Sequence, residues 1–190
     1  MKKVYYYLKL LKIKDYYTYE HSLRVSYYSN MVGISLGLSN WHLQKLKKAS
    51  LLHDIGKLLI PDNILNKKES LTPEEFDIIK NHTKYAKQIL GENYNYIIDD
   101  ILCHHERLDG SGYPFQTKNI SLNAQIISIV DSFDAMTSNR GYNKVLSYEE
   151  AFRELYECSK MGKYNLNLVK TFYTNFSEQL NLNNKKVKQY

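Results

Sequence analysis

The sequence predicts an all-α fold, a single compact helical bundle. Three observations carry the fold class. Apolar residues recur at helical spacing along nearly the whole chain. Only three prolines and eight glycines interrupt its 190 residues, and no stretch alternates apolar with polar as a half-buried strand does. With 43% apolar and 24% charged residues, the chain is long enough to bury one core without staples, and disorder or a coiled coil does not fit.

The elements follow in order. Residues Asp15 to Leu38 read as one long helix with Leu23, Tyr27, Met31 and Ile34 on its inner stripe and Gly37 at its end. Ser39 or Asn40 caps a second helix from Trp41 to Asp54. Gly56 and Pro61 open a loop with a short helical turn, reaching Ser70. Thr72-Pro73-Glu74-Glu75 is a helix start with an N-cap, Pro at the first position and Glu at the third, and that helix runs to Leu90 and stops at Gly91. Another covers Tyr94 to His105. The Gly-rich stretch from Glu106 to Asn119 is a loop. Helices resume over Leu122–Ser138, from the Ser147 N-cap to Ser159, and over Asn165–Leu180.

Charge sits at the ends. The formal net is +6, but residues 1–14 carry five lysines and no acid, and 181–190 carry three more, so the body is near −2. We therefore divide the chain into a basic N-terminal extension (1–14), one domain (15–180) and a basic C-terminal tail (181–190). The ends read as solubilising tails, or as docking arms for an anionic partner, a protein among them, or a membrane surface. A basic groove for a nucleic-acid polymer is not expected on such a body. No run of 18 apolar residues suggests a transmembrane helix and the start is not a signal peptide, so the expected location is cytoplasmic. Cys103 and Cys158 form no CxxC pair and read as reduced thiols.

Chemistry concentrates in histidine. Of six, His21, His53, His82, His104 and His105 lie on faces or in runs that point inward; His42, in a capping region, does not. Buried imidazoles need hydrogen-bond partners or a metal, and a shared metal centre satisfies five at once. Asp54 and Asp131 sit in apolar runs, where an unpaired carboxylate is costly. Imidazole plus carboxylate without thiolate disfavours structural zinc and suits iron or manganese. Seven candidate ligands exceed the needs of one ion. Two divalent ions fit, and His53–Asp54 then either serve different ions or share them through Asp54. Two ions about 4 Å apart with a bridging hydroxide are a known device for in-line attack at phosphorus.

These residues carry a family resemblance. His53-Asp54 followed by Gly56-Lys57 is the HD signature of metal-dependent phosphohydrolases, and His104-His105-Glu106-Arg107-Leu108-Asp109-Gly110-Ser111-Gly112-Tyr113-Pro114 closely resembles the second signature of the HD-GYP family. Leu51–Leu65, Thr72–His82 and Asp131–Arg140 match the segments around them, and the similarity spans Tyr16 to Phe172. The resemblance implies a helical domain that hydrolyses cyclic di-GMP to pGpG, and on to GMP in some members, through a metal-bridged hydroxide. It implies His21, His53, Asp54, His82, His104, His105 and Asp131 as ligands, with Asp54 bridging and serving catalysis. It gives Lys57 the scissile phosphate, physically suited because an ammonium neutralises phosphoryl charge. Arg107, Gly112, Tyr113, Asp134, Arg140 and Lys144 are the further expected substrate contacts. Tyr113 would border a guanine or simply shape a turn, Arg107 and Asp109 could instead pair with each other, and Asp134 could hold a ligand imidazole. Three-metal members carry a Glu where this chain has Tyr17, which implies two ions here. The chain also departs from the family at Gly141 to Lys144 and at Gly162 to Leu166, both in substrate grip. The alternatives are a catalytically weak cyclic di-GMP receptor, or a phosphohydrolase of another cyclic dinucleotide or nucleotide.

Overall fold

Ten α-helices carry the described part of the chain in a computed structural model, which describes residues 2–139 and 145–187, with the side chains of Lys2 and of 181–187 outside the description. They are α1 (Lys2–Lys14), α2 (Tyr16–Ser35), α3 (Asn40–Leu52), α4 (Asp62–Leu65), α5 (Pro73–Lys80), α6 (His82–Leu90), α7 (Asn95–Leu102), α8 (Leu122–Thr137), α9 (Tyr148–Lys160) and α10 (Leu166–Val187). There is no strand among the described residues. Helix α2 is the central element, packed against α1, α3, α8 and α10.

Helix starts fall where side-chain oxygens satisfy the free N–H groups of a first turn. Asp15 accepts from Tyr17 and Thr18, Ser39 from His42, and Ser121 from Ala124. Thr72 with Glu75, and Ser147 with Glu150, form full capping boxes. Gly37 and Gly91 adopt φ of +69° and +63°, the left-handed turn that ends a helix.

Several boundaries differ from the sequence reading. Residues 1–14 are not a tail. Val4, Leu8 and Leu11 line one face of α1 and enter the core, Leu11 with no exposure at all. Their spacing of four and three is helical, and the lysines occupy the outer face. The stripe expected on α2 faces mostly outward as well, with Met31 the member that packs partly buried against the core. Leu23, Tyr27 and Ile34 are exposed by 39%, 54% and 59%, while His21, Ser22, Val25, Ser29 and Val32 face inward. The inner residues are small because α3 lies close: a Cβ on Gly33 would meet Leu43 and Leu46 at 2.9 and 3.0 Å. Serine hydroxyls on that face turn back to the backbone, Ser22 donating to Thr18 O at 2.9 Å and Ser26 to Lys47 O at 3.3 Å. Helix α3 stops at Leu52, and the chain tightens into a 3₁₀ turn over Ile55–Leu59. The helix expected from Thr72 to Leu90 breaks at Asn81, and α7 ends at Leu102, before the histidine pair. The last helix extends into the expected C-terminal tail, to Val187.

Candidate metal centre

Three helix ends and the bodies of α2 and α8 meet at one buried point. His21 comes from α2, His53 and Asp54 follow α3, His82 opens α6, His104 and His105 follow α7, and Asp131 lies on α8. His21, His53 and His104 have no exposure, and His82, Asp54 and Asp131 have 1%, 2% and 7%. All seven sequence-derived ligand candidates are thus brought together.

The ring orientations are set by acceptors. His53 Nδ1 lies 2.8 Å from Ser50 O, His82 Nδ1 2.7 Å from Ile79 O, and His104 Nδ1 2.6 Å from Ile101 O. A carbonyl can only accept, so each Nδ1 carries the proton and each Nε2 presents a lone pair inward. His21 Nδ1 is 2.7 Å from Asp134 Oδ2, with the same consequence. His82 Nε2 and His104 Nε2 are buried without any hydrogen-bond partner, and His21 Nε2 faces His53 Nε2 at 3.2 Å. Opposed lone pairs at that distance require a cation, whether proton or metal, between or beside them.

The donors form two groups, His21–His53–Asp54 and His82–His104–His105. Asp131 joins the first, its Oδ1 3.0 Å from His21 Nε2. Asp54 spans both: Oδ2 lies 3.5 Å from His53 Nε2, and Oδ1 3.4 Å from His82 Nε2. Burial holds the His82 imidazole down to about 4 and His104 to about 3, and lowers His53 and His105 too. Burial also acts against His21, but hydrogen bonds to Asp131 and Asp134 overcome it and raise its pKa. Burial opposes the charge on Asp54 and Asp131, yet Lys57 with the surrounding imidazoles holds Asp54, and His21 with its neighbouring imidazoles holds Asp131, well below the usual carboxylate range. Four imidazoles held neutral beside ionised carboxylates are what a divalent cation requires.

The expected substrate residues divide. Lys57 Nζ sits 2.7 Å from Asp54 Oδ2, at the centre. Gly112 is buried where a Cβ would lie 2.4–2.5 Å from the backbone of residues 105–107, so the loop closes directly on the histidine pair. Tyr113 stacks on His105, ring centroids 4.6 Å apart. Asp134 supports His21, and Arg24 grips it with Nε and Nη2 at 2.7 and 2.9 Å. Arg107 has structural partners, donating to Glu106 O and Ser128 Oγ and lying over the Tyr164 ring. Asp109 accepts from Ser111 N and Oγ at 2.9 and 2.7 Å. Tyr17 stacks on His21, centroids 6.1 Å apart. His42 is exposed beside Ser39, as expected. Arg140 and Lys144 lie outside the described residues.

Two residues went unnoticed in the sequence. Arg24 is one turn from His21 on the same helix face, a usable signal. Glu106, 1% exposed, accepts from Phe115 N at 2.6 Å and anchors the loop. No helix among the described residues is long and apolar enough to cross a membrane.

Comparison with known proteins gives the family. The HD domain family profile matches residues 7–168. A cyclic di-GMP phosphodiesterase of Thermotoga maritima is 41% identical over 86% of this chain and 46% of its own length. One of Pseudomonas aeruginosa, PA4108, is 39% identical over 77% of this chain and 37% of its own length. A 3′3′-cGAMP-specific phosphodiesterase of Vibrio cholerae is 34% identical over 87% of this chain and 39% of its own. The chain thus spans less than half the length of these relatives. The HD domain of the L. monocytogenes phosphodiesterase PgpH, solved with cyclic di-AMP, shares the fold with a TM-score of 0.70 at 24% identity, over 92% of this chain and 95% of that one. With the profile covering most of its length and both signatures folded onto one buried centre, the chain belongs to the HD domain family, in the HD-GYP group its second signature resembles.

Proposed function

We propose that this chain is a metal-dependent phosphodiesterase domain that opens cyclic di-GMP to linear pGpG, with GMP as the product of any second cleavage. The observation that carries the reading is the pair of donor groups with Asp54 spanning both. The relatives named as cyclic di-GMP phosphodiesterases support the substrate.

His21, His53, Asp54 and Asp131 would hold one divalent ion, and His82, His104 and His105 a second, with Asp54 shared. Nitrogen and oxygen donors without thiolate favour iron or manganese. When bound, such a pair supplies an activated water and a Lewis acid for phosphoryl oxygens. The protein does the rest. Lys57 sets an ammonium beside Asp54, placed to neutralise charge growing on the phosphoryl oxygens. Asp134 keeps the His21 proton on Nδ1 so that Nε2 stays available. Tyr113 stacks on His105 and fixes the plane of that ring.

The test is pGpG formation from cyclic di-GMP under anaerobic conditions, with ferrous iron, manganese and zinc in parallel. Metal-dependent product is expected, and Asp54→Ala should abolish it; full turnover in that variant refutes the scheme. No product at a metal occupancy near two would favour a receptor. The Vibrio relatives favour one second reading, hydrolysis of 3′3′-cGAMP, and competition between the two dinucleotides separates them.

A further inference from the structure

A cleft of about 380 Å³ opens between the α5–α6 junction and the loop from Gly112 to Gln116. Asp77, Lys80, Asn81, Lys84, Tyr113 and Phe115 line it. It adjoins the metal centre: Asn81 precedes His82, and the Tyr113 ring in its wall stacks on His105 at 4.6 Å.

The cleft has an excess positive charge. Lys80 Nζ is 2.7 Å from Asp77 Oδ1, so that pair cancels. Lys84 is exposed on α6, and no acidic group in the lining remains to neutralise it. The cleft also offers a flat apolar face. Phe115 is 55% exposed, unusual for a phenylalanine whose own backbone is fixed, here by its N–H donating to the buried Glu106 at 2.6 Å. Asn81 Nδ2 donates to Asp77 O at 3.1 Å, which holds the amide in place in the lining.

A cation and a stacking face in one cleft match a nucleotide's phosphate and base. A cyclic dinucleotide has two phosphodiesters, and only one can occupy the metal centre. We propose that this cleft binds the non-scissile half of the substrate, with Lys84 on the second phosphate and Phe115 stacked on its base, which makes both specificity-determining residues. This rests on the phosphodiesterase reading above.

The test compares steady-state kinetics of the metal-loaded wild type with Lys84→Gln, Phe115→Ala and the charge control Lys87→Gln, which removes an exposed lysine of the same helix outside the cleft. Both cleft side chains are exposed, so melting curves should match wild type. One charge-assisted contact or one stacked base corresponds to about tenfold in affinity. The expected result is a KM for cyclic di-GMP raised about tenfold in each cleft variant, kcat within about twofold, and no change in Lys87→Gln. Selectivity for cyclic di-GMP over bis(4-nitrophenyl) phosphate, too small to reach the cleft, should fall by the same factor. Unchanged KM in both cleft variants overturns the subsite while leaving the phosphodiesterase intact. If the wild type cleaves the aryl diester but not cyclic di-GMP, the substrate reading and the subsite fall together.

Discussion

Gly56→Ala probes how the metal centre is held without touching a ligand. Gly56 lies in the 3₁₀ turn that follows Asp54, and a Cβ there would sit 1.8 Å from His82 O, 2.7 Å from His82 C and 2.9 Å from Ala86 N. All three are backbone atoms, so no rotamer change relieves the contact. Ordinary carbon contacts begin near 3.5 Å, so the turn and α6 must separate by roughly 1.5 Å. His82 moves with its helix because Ile79 O holds its Nδ1 at 2.7 Å. If instead the turn moves, Asp54 and Lys57 move with it. Either way the 3.4 Å approach of Asp54 Oδ1 to His82 Nε2 is lost. Metal–ligand lengths tolerate only about 0.2 Å, so one ligand leaves the second group. Overpacking costs about 1–3 kcal/mol, and a backbone clash lies at the upper end. For a domain of this size that is roughly 6–12 °C in Tm. The assay is thermal unfolding in chelator, together with metal content after desalting. A lower Tm with loss of about half the bound metal is expected. Wild-type Tm and wild-type stoichiometry would refute the close-approach argument.

Three further outcomes follow from the same geometry. Leu11→Ala should cost about 2–5 kcal/mol, because Leu11 has no exposure; an unchanged denaturation midpoint would return residues 1–14 to the status of a tail. Asp134→Asn removes the anionic acceptor of His21 Nδ1 and the partner of Arg24, and should weaken metal binding about 10–100-fold in a competitive chelator titration with the helical content intact. The metal-free protein should melt lower at pH 5 than at pH 7. His82 and His104 are held to about 4 and about 3, below the ordinary imidazole value, so the unfolded chain binds more protons between about pH 6.5 and 4 and acid favours it; a higher Tm at pH 5 would reverse the assignment of burial as the dominant cause.

The candidate ligands were legible as a group because His53 stands in an apolar run, His82 and the His104–His105 pair share helix faces with apolar residues, and Asp54 and Asp131 break apolar runs. The two misread helices have different causes. In α1 the apolar positions 4, 8 and 11 have helical spacing, but five lysines dominate the composition and hid it. In α2 the usual polarity is reversed: Thr18, Ser22, Ser26 and Ser29 face in beside His21, while Leu23 and Ile34 face out. A hydrophobic stripe marks the inner face only where apolar burial drives packing. Here the inner face must pass close to α3 and carry a ligand, which selects small residues and one imidazole. Glu106 gives no local signal of burial; it is enclosed only because the loop through Phe115 folds back over it.

The helix breaks that the sequence blurred are themselves part of the centre. The last carbonyls of a helix have no intrahelical partner and must find another donor. Ser50, Ile79 and Ile101 lie in the last turns of α3, α5 and α7, and their carbonyls are the acceptors for His53, His82 and His104 Nδ1. In each case the ligand follows its acceptor by three residues, just past the helix end. Continuous helices through these positions would engage those carbonyls internally and leave the Nδ1 protons without partners. Ending each helix at the ligand satisfies both groups and turns every Nε2 toward the same point. The orientation of these three donors therefore comes from where secondary structure stops, and His21, in mid-helix, needs a carboxylate, Asp134, to do the same task.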